Sequence, residues 1–260
     1  MTSDTALTRD WVVVSEAMLS GEALEPYSDG VGSPGFLDTV KPHAPGQKKL
    51  AVHSGEIWVA LFEHTNGASH AAFFPGDEFV YVLEGTVTLP DDRTGNAPTF
   101  SPGEHFLVPK GWQGTWTSEG FFREIAVCSK DWLSPYGRTL ADGILDARRR
   151  DTVLTIDPAQ ARDRLEAPGE GGWTRSAHIQ GSDLLVRLVA GAGDSPVRVT
   201  LDAADTFVQV LDGAISLVGA DGGREAFGAG EFVVVPRAFS GSCEVEPEFV
   251  GVAVTAGVRA

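Results

Sequence analysis

The chain states nearly the same pattern twice, and a repeat of this length constrains the fold more than any single motif. Phe79-Val-Tyr-Val-Leu-Glu-Gly85 returns 128 residues later as Phe207-Val-Gln-Val-Leu-Asp-Gly213. Phe100-Ser-Pro-Gly-Glu-His-Phe-Leu-Val-Pro-Lys110 returns 127 residues later as Phe227-Gly-Ala-Gly-Glu-Phe-Val-Val-Val-Pro-Arg237. A duplicated domain is the economical explanation, with the one-residue difference absorbed in a turn. The duplication also supplies an internal control. Residue types that both copies share serve the fold; polar chemistry carried by one copy alone points to function.

Within each copy the apolar residues form short β-branched and aromatic runs, such as Ile57–Phe62 and Phe79–Leu83, answered by Leu184–Val189 and Phe207–Leu211. Turn signals such as Asp91-Asp-Arg-Thr-Gly-Asn96 and Asp221-Gly-Gly223 separate them, which predicts an all-β repeat. Trp11-Val-Val-Val14 resembles Thr152-Val-Leu-Thr155, so each unit is expected to begin with a strand. Asp157-Pro158 supplies an N-cap and a first helical position, predicting a short helix through about Leu165. The expected domains are 1–133, including an extra Gly- and Pro-rich stretch (30–46), and 152–260, joined by a connecting segment over 134–151.

The formal charge is −16, from 20 Lys and Arg against 36 Asp and Glu. Phosphate backbones and anionic lipid surfaces would be repelled, so neither nucleic acid nor membrane is an expected partner. The N-terminal residues carry no basic segment followed by an apolar run, and a cytoplasmic location is expected. Cys128 and Cys243 are read as unpaired thiols.

The motifs resemble those of the cupin superfamily, whose first motif ends Glu, six residues, Gly, as Glu78 and Gly85 do here. Its second motif runs Gly, five residues, Pro-x-Gly, two residues, His, matched by Gly103, Pro109 and Gly111. The resemblance implies two tandem double-stranded β-helix barrels, the jelly-roll form of cupins. In metal-binding cupins two His precede the Glu and a third closes the second motif. Those slots hold Ala72 and Phe74 (or Ala71 and Phe73) and Gly114, so no cofactor and no conventional metal site are expected. A relocated site using His70, His64 and Glu78 is the alternative. Pro109-Lys-Gly-Trp-Gln-Gly-Thr-Trp116 is similar to ethanolamine-utilisation-like and ureidoglycine-aminohydrolase-like cupins. Those aminohydrolases place manganese in the second barrel, and the corresponding stretch here, Pro196–Thr206, has neither His nor Glu.

Comparing the copies places most distinctive chemistry in the first barrel. Glu78 faces Thr206, Tyr81 faces Gln209, His105 faces Phe232, Trp112 faces Phe239, Trp116 faces Cys243, Arg123 faces Val250 and Glu124 faces Gly251. Lys110 is answered by Arg237, so its charge has a structural reading too. The site expectation is Glu78 and His70 as catalytic groups, Lys110 and Arg123 orienting an anion, and Tyr81, Trp112 and Trp116 shaping the pocket. Glu78 has the alternative of a buried Glu tied to Arg123 or to a backbone amide, and His105 is read as core. The function expected is an acid–base enzyme, a hydrolase, lyase or isomerase, acting on a small nitrogen-containing carboxylic metabolite. The rival is a non-catalytic ligand-binding or sensor bicupin, and a homodimer is a further expectation.

Overall fold

A computed structural model describes residues 11–27, 37–41, 46–129, 153–166, 173–181, 183–199, 201 and 204–256. The connecting segment expected over 134–151 lies outside the described residues. The first unit contains β1 (Val12–Val14), α1 (Glu16–Leu19), β2 (Glu25–Pro26), β3 (Leu37–Lys41), β4 (Lys48–Ser54), β5 (Ile57–Ala71), β6 (Glu78–Thr88), β7 (Thr99–Phe100), β8 (His105–Val108) and β9 (Gly114–Ser129). The second contains β10 (Leu154–Ile156), α2 (Pro158–Ala161), β11 (Arg175–Gly181), β12 (Leu184–Ala190), β13 (Val197–Val199), β14 (Thr206–Asp212), β15 (Ala214–Val218), β16 (Arg224–Gly228), β17 (Phe232–Val235), β18 (Ser242–Val245) and β19 (Val250–Ala256). The fold is therefore all-β, two barrels of antiparallel strands, as the repeat implies. Asp157 caps α2 as expected, its carboxylate accepting the Ala159 N–H at 2.9 Å.

In the first barrel β5, β6 and β9 run unbroken through both walls, giving a sheet ordered β10-β8-β6-β9-β5-β4-β2, with β7 on β6 and β3 on β5. The second barrel divides the same path into β1-β17-β14-β19-β12-β11 and β13-β18-β15-β16. The strands turn from one wall into the other where the register shifts, at Thr65/Gly67 on β5 and at Val82/Glu84 and Gly85/Val87 on β6. Gly85 explains part of the repeated motif: its φ is +75°, and a Cβ there would sit 1.8 Å from the Phe121 carbonyl oxygen. Gly213 repeats the case, with φ +63° and the Phe249 backbone at 2.7 Å. Only glycine fits such a corner. The repeated Gly-Glu turn is likewise structural, since Glu104 accepts the Ser101 N–H and Glu231 the Gly228 N–H, both at 2.6 Å.

The two units exchange their first strands. β1 pairs with β17 of the second barrel (Val12↔Val234), and β10 pairs with β8 of the first (Leu154↔Leu107). Alternation along the strands then creates three large cores, beside a small cluster of Ala177, Leu188, Ala190 and Val250. One fills the first lumen with Phe74, Val80, Phe106, Trp112 and Phe122. Another fills the second lumen with Trp11, Trp173, Val208, Phe239 and Phe249. The third joins the barrels, packing Phe79, Leu107 and Val127 against Phe207, Val234 and Val252. Two matched aspartates clasp this junction. Asp77 accepts the N–H groups of Lys110, Asp183 and Leu184, and Asp205 accepts those of Arg237 and Glu56.

Candidate functional site

Cross-strand register decides which side chains meet inside the first barrel. On the β5–β9–β6 wall, Trp58, Cys128 and Glu78 form one lumen-facing row, Ala60, Ala126 and Val80 the next, and Phe62, Glu124 and Val82 a third. Glu78 and Glu124 thus stand on the same inner face, each only 5 % exposed. Between them the wall carries the methyl groups of Ala60 and Ala126. The Cys128 thiol donates to Glu78 Oε1 at 3.4 Å. Glu124 Oε2 is buried with no hydrogen-bond partner, as are Ser118 Oγ and Trp112 Nε1. All three lie on elements lining the first lumen.

Burial governs the acid–base character of this set, because a carboxylate removed from water is harder to ionise. Desolvation pushes the Glu78 carboxyl up from 4.5 to about 7, with the Cys128 hydrogen bond opposing the shift. Desolvation and the neighbouring Glu78 charge raise Glu124 well above the ordinary carboxylate range. Burial and the charge of Glu78 also raise the Cys128 thiol, which makes it a hydrogen-bond donor rather than a nucleophile.

The expected site residues separate into two groups. Glu78, Trp112 and Trp116 share the lumen, with Trp112 against Phe74 at 6.0 Å and Trp116 against Phe106 at 5.6 Å between ring centroids. Tyr81 instead faces the junction between the barrels, 5.5 Å from the Phe232 ring. There it meets His105, whose Nε2 lies 2.7 Å from Gln209 Oε1, so His105 is a junction residue. Lys110 pairs with Asp183 across the clasp at 3.0 Å, mirroring Arg237 with Glu56. Arg123 stands on the outer face, bound to Glu63 at 3.0 Å, to Glu84 at 3.1 Å and to the Leu19 carbonyl. Neither cation reaches the lumen. His70 also leaves it: the bulge at Asn66 (φ +43°) shifts the alternation, and His70, opposite Thr115, bonds to Asp92 at 2.7 Å.

Glu124 is the lumen carboxylate absent from the expected set. Two signals mark it in the sequence, its shared parity with Ala126 and Cys128 and its replacement by Gly251 in the second copy. The relocated triad of His70, His64 and Glu78 is not brought together. Among the described residues no group of three or more His, Cys, Asp or Glu side chains is placed to hold a metal ion. At the positions that correspond to the ligands of metal-binding cupins, Phe74 packs on Trp112, and a Cβ at Gly114 would lie 2.3 Å from the Pro90 carbonyl oxygen. With Glu78 the one donor left, these residues do not fit a three-imidazole, one-carboxylate metal.

The arrangement of both barrels is that of the cupins, and the comparisons agree. Residues 48–125 match the EutQ-like cupin domain, which covers the wall strands of the first barrel. A protein of unknown function of the DUF861 family from Pseudomonas syringae pv. tomato superposes with a TM-score of 0.57 at 16% identity, over 89% of this chain and 98% of that one. A cupin 2 conserved barrel domain protein from Leptotrichia buccalis gives 0.53 at 14%, over 82% and 89%. Protein Ylba from E. coli, also DUF861, gives 0.52 at 14%, over 85% and 88%. At such identities these likenesses show the fold alone. No curated protein matches the sequence. Among the described residues no helix is long and apolar enough to cross a membrane.

Proposed function

We propose that this bicupin is an enzyme acting on a small polar, nitrogen-containing metabolite by acid–base chemistry in the lumen of its first barrel. One observation carries the reading: two buried carboxylates share that lumen across the methyl groups of Ala60 and Ala126, where burial raises both above the ordinary carboxylate range. A general acid or base works best when its pKa lies near the operating pH. Glu78 carries the proton in this reading, Cys128 orients it, and Trp112 and Trp116 bound the reacting space. Lys110 and Arg123, engaged outside the lumen, take no part in holding the substrate. The ethanolamine-utilisation-like and ureidoglycine-aminohydrolase-like branch is the finer assignment proposed, supported by the Pro-Lys-Gly turn and the Gly-Thr-Trp that follows it.

The test begins with native mass spectrometry of the purified protein, which reports co-purified ligand, metal and assembly together. A small-metabolite extract is then incubated with the parent, Glu78→Gln and Thr206→Val, and depletion is followed by mass spectrometry. The reading predicts a metabolite consumed by the parent and by Thr206→Val, with turnover reduced by about 10²- to 10⁴-fold in Glu78→Gln. Unchanged turnover in a folded Glu78→Gln protein defeats it. A bound metabolite recovered intact favours the sensor reading instead.

A further inference from the structure

The second barrel shows what kind of group belongs between the two carboxylates of the first. Residues matched through the repeat occupy matched places in the ladders: Leu185 and Thr255 pair as Trp58 and Cys128 do, Arg187 and Ala253 as Ala60 and Ala126 do, and Thr206 and Thr255 as Glu78 and Cys128 do. Where the first lumen has Ala60, the second has Arg187, a buried guanidinium that donates to Thr255 Oγ1 at 3.4 Å. Where the first lumen has Glu124, the second has Gly251. The second barrel therefore carries its own cation at this place and no matched carboxylates. The first has both carboxylates and only a methyl group where the cation would stand.

We infer that the first lumen binds a small organic cation, an ammonium or guanidinium, over Ala60 and Ala126 with Glu124 as its counter-charge and Glu78 beside it. This rests on the lumen reading above and names its ligand class. Two buried carboxylates without a cation are unfavourable, and a bound cation relieves both their desolvation and their mutual repulsion. Among the described residues, the nearby Lys and Arg side chains are committed elsewhere: Lys48 and Arg123 to Glu63, Lys110 to Asp183, and Lys49 over the Tyr27 ring at 5.1 Å; the buried imidazole of His64, on the next lumen-facing row, packs on the Phe122 ring at 5.2 Å. Trp58 and Phe62 flank Ala60 with ring centroids 5.6 Å apart and are only partly covered, giving an aromatic wall of the kind that favours cations. The orphaned Trp112 Nε1 and Ser118 Oγ in the same lumen offer hydrogen bonds to an uncharged polar group on the ligand.

The probes are n-propylammonium and methylguanidinium chlorides against sodium propionate, at pH 8 and constant ionic strength, with binding followed by saturation-transfer NMR and calorimetry. A cation should bind saturably and propionate should not. Glu124→Gln should weaken the cation at least tenfold. Ala60→Arg, which builds the second barrel's tethered guanidinium into the first, should remove binding while the protein stays folded by circular dichroism. Propionate binding that Ala60→Arg abolishes would overturn the cation and leave the lumen site standing. Cation binding unaffected by either variant would overturn both. No binding by any probe overturns the cation inference alone, since the turnover of Glu78→Gln still judges the acid–base reading.

Discussion

The two lumens share a backbone and differ in what their walls carry. The second is filled by Trp11, Trp173, Phe227, Phe239 and Phe249, with Trp11 delivered by the exchanged strand and its indole N–H bonded to Glu225 at 2.7 Å. The matched strand delivers only Val153 to the first. Glu124 Oε2, Ser118 Oγ and Trp112 Nε1, buried without a hydrogen bond, all lie on elements lining the first lumen. Native interiors satisfy their polar groups, and an exception concentrated in one of two equivalent chambers marks the chamber built for something else. The difference teaches that duplication let the two lumens diverge: one is closed by aromatic packing, and the other carries two buried carboxylates.

Several substitutions can break that comparison. The largest effect belongs to the shared junction. Phe79→Ala and Phe207→Ala, fully buried and 6.2 Å apart across it, should each cost about 3–5 kcal/mol in denaturant unfolding. Similar losses from both sides support one cooperative core; a loss from one alone would mean that the barrels unfold separately.

Next is the pH dependence, which should come from the first lumen. A carboxyl whose pKa is raised by folding binds its proton more tightly in the folded chain. The stability linked to Glu78 is therefore complete below about 4.5 and declines as pH rises toward 7. The decline should be on the order of 3 kcal/mol. Unfolding midpoints from pH 5 to 8 should show the fall in the parent and in Thr206→Val, and a flatter profile in Glu78→Gln. An unchanged slope in Glu78→Gln would remove Glu78 from the account.

The clasps should respond alike, since Asp77→Asn and Asp205→Asn each weaken backbone hydrogen bonds at the junction. About 1–2 kcal/mol is expected from each, measured by the same unfolding. The smallest effect is that of Tyr81→Phe, which removes a hydroxyl at the junction and keeps the ring packed on His105 and Phe232. A cost of about 1 kcal/mol with turnover unchanged places Tyr81 in the junction, whereas lost turnover would return it to the site.

Much of this was legible in the sequence because the repeat made it so. The all-β architecture, the corner glycines and the capped helix follow from local pattern, and Glu78 follows from motif spacing and parity. The misplaced residues share a physical cause. The irregularity at Asn66, where one residue of β5 stands opposite two of β9, reverses the alternation by which His70 would share the lumen, and such a corner leaves no spacing signal of its own. Arg123 and Lys110 stand out by charge, but charge does not tell which partner is close, and Glu63 and Asp183 lie 60 and 73 residues away in sequence. The strand exchange is equally hidden, because three apolar residues such as Val12–Val14 pair as readily with either barrel.

The most direct test of the central claim is a carbon-detected NMR titration of the glutamate carboxyl groups in the parent, Glu78→Gln and Glu124→Gln. Two carboxyls in the parent should hold their protons well above the ordinary range, one of them near 7, and each variant should remove one of the two signals. Titration of every glutamate between about 4 and 5 would contradict a proton-exchanging pair in the first lumen.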